Sequence, residues 1–297
     1  MPVIGFVSPN TTASRLAAFR KGLGENGYVE DWNVTVEYHW LEGHFEKLPA
    51  LMADLVRRQV TVIATPGTVP AIRAKAATAT IPIVFGVSED PVGLGLAASL
   101  AHPGGNATGI NFFVEEVAAK RLRLLHDLVP KAVRIAVLVN PANATSTRTT
   151  LRAIQQAAPA IGLQIRIFNA STTAEIEAAF ASFAHDRPDA LFVGGDGFFD
   201  NSAEHFATLT ARDKVPATYD NQHYLESGGL MSYGTDLADM WHQIGAYTGQ
   251  VLKGAKPADL PVVQSTKFEL AINLKAAKAL GIEVPPTLLA LADQVIE

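Results

Sequence analysis

Val60-Thr61-Val62-Ile63-Ala64 runs directly into Thr65-Pro66-Gly67-Thr68, an apolar, β-branched stretch followed by a small polar loop. A short apolar run closed by proline and glycine reads as a strand buried on both faces. The same device stands on either side of it, as Val3-Ile4-Gly5-Phe6-Val7 into Ser8-Pro9-Asn10 and as Ile81-Pro82-Ile83-Val84-Phe85 into Gly86-Val87-Ser88-Glu89-Asp90. The second half repeats it. There Ile135 to Val139 leads into Asn140-Pro141-Ala142-Asn143, Ala190 to Val193 into Gly194-Gly195-Asp196-Gly197, and Val215 to Thr218 into Tyr219-Asp220-Asn221. Helical patterns lie between these strands. Ala13 to Gly24 places Leu16, Phe19 and Leu23 on one face behind a cap at Thr11 or Thr12, and Phe45 to Gln59, Val69 to Thr78 and Gly93 to Leu100 read as further helices. Strand and helix alternation of this kind specifies an α/β fold with parallel sheets and right-handed crossovers.

A chain of 297 residues exceeds what one core usually organises, so two Rossmann-like lobes are expected. The strand pattern assigns residues 1–110 and 236–260 to the first lobe and 111–235 and 261–297 to the second, joined by a multi-strand hinge, with a ligand cleft between the lobes. Open parallel sheets bind ligands outside the carboxyl ends of their strands, which makes the polar loops the candidate site. A formal charge of −5 gives no field that would draw in a nucleic-acid backbone. The absence of cysteine removes disulfides and thiol chemistry together.

Segments along the whole chain resemble one family. They include Ala18-Phe19-Arg20-Lys21-Gly22-Leu23, Asn33 to Tyr38, Leu48-Pro49-Ala50-Leu51, Lys75-Ala76-Ala77-Thr78 and Ile81 to Phe85. Asp90-Pro91-Val92-Gly93-Leu94-Gly95, Lys120-Arg121-Leu122, Gly228 to Gly234 and Lys267-Phe268-Glu269-Leu270 extend the match. The chain resembles the substrate-binding proteins of ABC transporters related to tryptophan and aromatic amino-acid uptake, with a type I periplasmic-binding-protein fold. The resemblance implies a monomeric, non-enzymatic receptor without a cofactor, which passes a small amino-acid-like ligand to a membrane permease. It also implies a periplasmic or lipid-anchored location, with the signal peptide absent from this sequence.

The residues supply their own candidates. Thr65-Pro66-Gly67-Thr68 precedes a helix, so its backbone N–H groups and hydroxyls suit an anion such as an α-carboxylate, and Ser88 adds a hydroxyl from the next strand end. Related amino-acid binders hold the carboxylate on the corresponding loops, which implies Gly67, Thr68 and Ser88 here. Asp196 and Asp220 end neighbouring strands of the second lobe; the resemblance implies that one of them, Asp220 first, meets a ligand ammonium. Loss of Asp220 is then expected to weaken binding strongly. Phe198 and Tyr219 are candidate aromatic walls, and Asn10, Asn140 and Asn143 are polar loop-end contacts. Each of these also has an ordinary explanation as a cap, turn residue or core ring.

Other signals carry less. Gly93-Leu94-Gly95 lacks the spacing of a dinucleotide fingerprint, the eight histidines show no metal-ligand spacing, and Lys120-Arg121-Leu122-Arg123 reads as a solvated helix face. Two other classes share a two-lobed architecture. An effector-sensing domain would need a helix-turn-helix, and an enzyme would need a catalytic constellation.

Overall fold

A computed structural model describes residues 1–10, 12–112 and 114–297. In chain order it begins β1 (Val3–Ser8), α1 (Ala13–Glu25), β2 (Thr35–Trp40), α2 (Leu48–Arg57), β3 (Val62–Pro66), α3 (Thr68–Ala77), β4 (Ile83–Val87) and β5 (Ala107–Asn111). It continues α4 (Val114–Leu128), β6 (Arg134–Val139), α5 (Ala144–Ala157), β7 (Gln164–Asn169), α6 (Thr173–Ser182), β8 (Ala190–Val193), α7 (Gly197–Asn201), α8 (Ala203–Asp213), β9 (Ala217–Tyr219), α9 (His223–Glu226) and β10 (Met231–Thr235). The remaining elements are α10 (Leu237–Leu252), β11 (Val263–Gln264), β12 (Phe268–Asn273), α11 (Leu274–Leu280), α12 (Pro286–Leu291) and β13 (Gln294–Ile296).

Two compact units result. The first comprises Met1–Phe113 and Asp236–Lys267, the second Val114–Thr235 and Phe268–Glu297. The returning segment of the first unit runs to Lys267 because β11 pairs with β5, Val263 opposite Ile110 and Gln264 opposite Asn111. A two-residue strand carries too little pattern to be read from sequence.

The first unit holds one six-stranded sheet in the order β11-β5-β4-β3-β1-β2, every neighbouring pair parallel. All five residues of β3 and of β4 are buried, as an apolar run covered on both faces requires. Alternate side chains part to opposite faces. Val7, Ile63, Ile83 and Phe85 join Leu48, Met52 and Leu55 of α2 on one side, while Ile4, Phe6, Val62 and Val84 join Phe19 and Leu23 of α1 and Trp241 and Ile244 of α10 on the other.

The second unit holds seven strands in the order β13-β12-β10-β9-β8-β6-β7. All its pairings are parallel except that of β10 with β12. Each sheet therefore gathers the carboxyl ends of its parallel strands along one edge, where the polar loops of the sequence lie. This is the type I periplasmic-binding-protein fold class expected from the strand pattern and the resemblance.

One expected helix does not form. Residues 93–95 are turns and 96–100 are bends and irregular chain, because the Asp90 carboxylate accepts from the N–H groups of Val92 and Gly93, both at 3.0 Å, and Gly95 adopts a left-handed φ of 72°. An Asx turn captures the donors a helix would use. At the α1 cap, Thr12 accepts from Arg15 N–H; the alternative cap Thr11 lies outside the described residues.

The α1–α10 contact depends on glycine. A Cβ on Gly245 would fall 2.1 Å from the Phe19 carbonyl oxygen, and one on Gly22 would fall 2.0 Å from that of His242. Backbone atoms cannot yield as a flexible side chain would, so Gly245→Ala must push the helices apart. The substitution is expected to destabilise the first unit by about 1–3 kcal/mol. Urea denaturation checks it; an unchanged midpoint would show that the helices separate freely.

Candidate functional site

At the carboxyl edge of the first sheet, β3 passes through Gly67 into α3, so Thr68 is the first helical residue and its hydroxyl lies beside the end of β4. The Thr68 hydroxyl donates to Glu89 Oε2 at 2.5 Å and stands 3.4 Å from Ser88 Oγ. Gly67 must be glycine for room: a Cβ there would come within 2.8 Å of the Pro9 ring. Among the described residues the N–H groups of Thr68 and Val69 have no acceptor, the usual condition of a helix start. Thr65 is fully buried in β3, and its hydroxyl has no partner among the described residues. At the β1 end, Ser8 Oγ donates to the Asn10 carbonyl at 2.6 Å, and the buried Arg15 of α1 donates to Asn10 Oδ1 at 3.3 Å. Trp40 ends β2 opposite Ser8 and stacks between Tyr38 and Trp241, with ring centroids 5.3 and 6.5 Å away.

Glu89 was not among the sequence candidates. It is 7% exposed, its Oε1 meets no donor among the described residues, and burial raises its pKa above the usual carboxylate value. Asn111, at the end of β5, fixes the segment by donating to the Val87 and Glu89 carbonyls at 3.1 and 2.7 Å.

At the carboxyl edge of the second sheet, Asn140, Asn143 and Asp196 come together. Asn140 Nδ2 donates to Asp196 Oδ1 at 2.9 Å, Asn143 Nδ2 to Oδ2 at 3.0 Å, and Phe198 N–H to Oδ1 at 2.9 Å. Asp196 thereby caps α7, and Ser171 Oγ and Ala142 N–H donate to Asn140 Oδ1 in turn. Burial raises the Asp196 pKa, and the two asparagine amides oppose that shift. These three side chains satisfy one another, a clasp between loops.

Asp220 lies at the end of β9, half-buried, and accepts from Asn221 Nδ2 at 3.0 Å. A cation acts on it from within the unit. Arg121 of α4, 2% exposed, donates through Nη2 to the Val193 carbonyl at 2.8 Å and lies 4.0 Å over the Phe192 ring. Burial pulls its pKa down to about 10, and the attraction of Asp220 opposes that shift. Arg121 was read as part of a solvated helix face; helix α4 instead turns it inward beneath β8. A stretch written Lys-Arg-Leu-Arg conceals which basic residue faces the core.

Phe198 remains half-exposed at the start of α7, with its ring 5.7 Å from that of Phe199. Tyr219, expected as an aromatic wall, is fully buried instead and stacks on Tyr224 with centroids 4.4 Å apart. The alternation of β9 decides this: Thr218 faces one layer of the unit, so Tyr219 faces the other and enters its core.

The model of the ABC transporter substrate binding protein family matches residues 1–296. The chain belongs to that family. It is similar to a structure from Streptococcus pneumonia described as an ABC domain in complex with L-Trp, at 28% identity and a TM-score of 0.89 over 99% of both chains. A conserved domain protein from Vibrio cholerae is similar at 26% identity, again with a TM-score of 0.89 over 99% of both chains. Among curated proteins, the Tyrosine-binding protein of Clostridioides difficile is 26% identical over 265 residues, 89% of this chain and 76% of that protein.

For a substrate-binding protein the two edges differ in a useful way. The second presents carboxylates already held by asparagines or near an arginine, whereas the first presents N–H groups and a buried carboxylate oxygen without partners among the described residues. Holding Glu89 there has a consequence for stability. Its folded-state pKa lies above that of an unfolded chain, about 4.3, so the native state holds the proton more tightly. Its contribution is therefore full below the unfolded value and is lost as pH rises through the folded one. Ligand-free Glu89→Gln is expected to gain stability relative to the parent protein between about pH 4 and pH 8, measured by urea denaturation at both; parallel changes in the two proteins would show that Glu89 does not carry the effect.

Proposed function

We propose that this substrate-binding protein captures an aromatic amino acid outside the cytoplasm and hands it, chemically unchanged, to an ABC permease. One observation carries the ligand class: the similar structure covering 99% of both chains is described as a complex with L-Trp. The similarity to a Tyrosine-binding protein agrees with it. Family membership supports the permease partner and the extracytoplasmic setting, and among the described residues no helix is long and apolar enough to cross a membrane. The receptor acts as a monomer and does not bind nucleic acid.

The ligand's carboxylate would sit on the N–H groups of Thr68 and Val69, at the positive end of α3, beside Ser88. Trp40, partly buried at the strand edge of the first unit, is the aromatic residue there that would meet a planar side chain. Calorimetry tests this reading on protein unfolded and refolded to strip bound solute, titrated with the twenty amino acids and a set of aromatic acids. Aromatic amino acids are expected to bind with dissociation constants on the order of micromolar or below; silence toward all of them would reject the reading.

Arg121 changes the expectation for Asp220. A carboxylate with a resident cation nearby has less need of a ligand ammonium, so Asp220→Asn is expected to lower aromatic amino-acid affinity by less than about tenfold, or 1.4 kcal/mol. The same variant should lower the denaturation midpoint, because Arg121 loses its opposing charge. Calorimetry and urea denaturation on one preparation read both effects, and a loss of affinity of a hundredfold or more (about 2.7 kcal/mol) would restore Asp220 as the ammonium partner.

A further inference from the structure

Glu89 has the fixed geometry of a binding group, and one of its carboxylate oxygens meets no donor among the described residues. Its main chain is held by Asn111, and its Oε2 is held by the Thr68 hydroxyl at 2.5 Å. Its Oε1 has no donor among the described residues, although the residue is 7% exposed. A buried acceptor without a donor costs more than the average hydrogen bond returns, so such groups call for a specific explanation. The Asp196 clasp shows the contrast: there both carboxylate oxygens have amide donors.

We propose that Glu89 Oε1 takes the ammonium of the amino-acid ligand. The first unit alone then holds both ends of the zwitterion, its carboxylate on the start of α3 and its ammonium on Glu89. The assignment rests on the proposed function for the carboxylate and extends it by naming the ammonium partner. The shared hydroxyl fits this arrangement. The Thr68 hydroxyl donates its hydrogen bond to Glu89, which leaves the Thr68 and Val69 N–H groups for the ligand carboxylate. A ligand that brought a carboxylate without an ammonium would place a second negative charge beside Glu89 with no cation to offset it. Glu89 is therefore a selectivity residue, admitting amino acids and rejecting their des-amino counterparts.

The test compares L-tryptophan, indole-3-propionate and tryptamine by calorimetry on the full chain and on Glu89→Gln, which keeps the side-chain shape and an acceptor for Thr68. The parent protein is expected to prefer L-tryptophan over indole-3-propionate by at least tenfold. The variant should bind L-tryptophan roughly 10- to 100-fold more weakly and discriminate less. Equal L-tryptophan affinity in both proteins overturns the assignment. So does equal affinity of the parent for L-tryptophan and indole-3-propionate, an arm that holds even if the variant misfolds. A parent protein silent to every aromatic amino acid rejects the proposed function. In that case tryptamine binding lost in Glu89→Gln still supports Glu89 as the ammonium partner, and silence toward tryptamine rejects that too.

Discussion

The parallel ladder is the constraint on which the rest depends. Parallel neighbours cannot be joined by a tight turn, so their connections cross back over a face of the sheet, usually as a helix, and every strand of the first sheet and all but β12 and β13 of the second run the same way. Both faces are thereby covered, which is why β3 and β4 can be apolar without interruption. The polar chemistry has one place left to go. It collects where strands end and helices begin, and there the unpaired N–H groups of a helix start give the edge a positive partial charge.

What each edge does with that charge depends on the acids placed there. Asp196 follows β8 after two glycines and turns back to cap α7, meeting the asparagines that end β6 and open α5; its charge is consumed in holding loops together. Glu89 follows β4, one position beyond Ser88; its Oε2 accepts from the Thr68 hydroxyl, and its Oε1 meets no donor among the described residues. One acid closes a structure. The other keeps an oxygen in reserve at a site where the main chain is firmly held. The energetic sign follows, since an unsatisfied buried acceptor lowers the stability of the empty protein and is relieved by whatever donates to it.

Much of this was legible in the sequence and some was not, for separable reasons. Strands such as Val60 to Ala64 and Ile135 to Val139 were readable because burial on both faces leaves a pattern within one segment. Asn140, Asn143 and Asp196 were found as loop-end polar residues, but their mutual bonding was not, because it joins positions more than 50 residues apart. Tyr219 was misplaced by treating a strand's end as if every side chain there faced outward, when alternation sends neighbours to opposite layers. Glu89 carries no local signal, because its burial depends on α3 and Asn111, which packing and not the loop's own sequence brings beside it. Arg121 was hidden by its neighbours, since a run of basic residues on a helix does not announce which one turns inward.

Arg121 and Glu89 together show why buried charge in a binding protein is informative. Arg121 is nearly inaccessible, yet its attraction to Asp220, its bond to the Val193 carbonyl and its seat over Phe192 account for its presence as part of the unit's own architecture. Glu89 has hydroxyls near one end, and its Oε1 meets no donor among the described residues. A fold selected for stability alone would do better with an apolar residue of similar volume at such a position. Keeping an acid there is explained when the missing donor arrives from outside, and an ammonium is the donor that also cancels the charge. The strand edge of the first unit then recognises an amino acid by its two backbone charges, and selection among amino acids falls to the surfaces that meet the side chain.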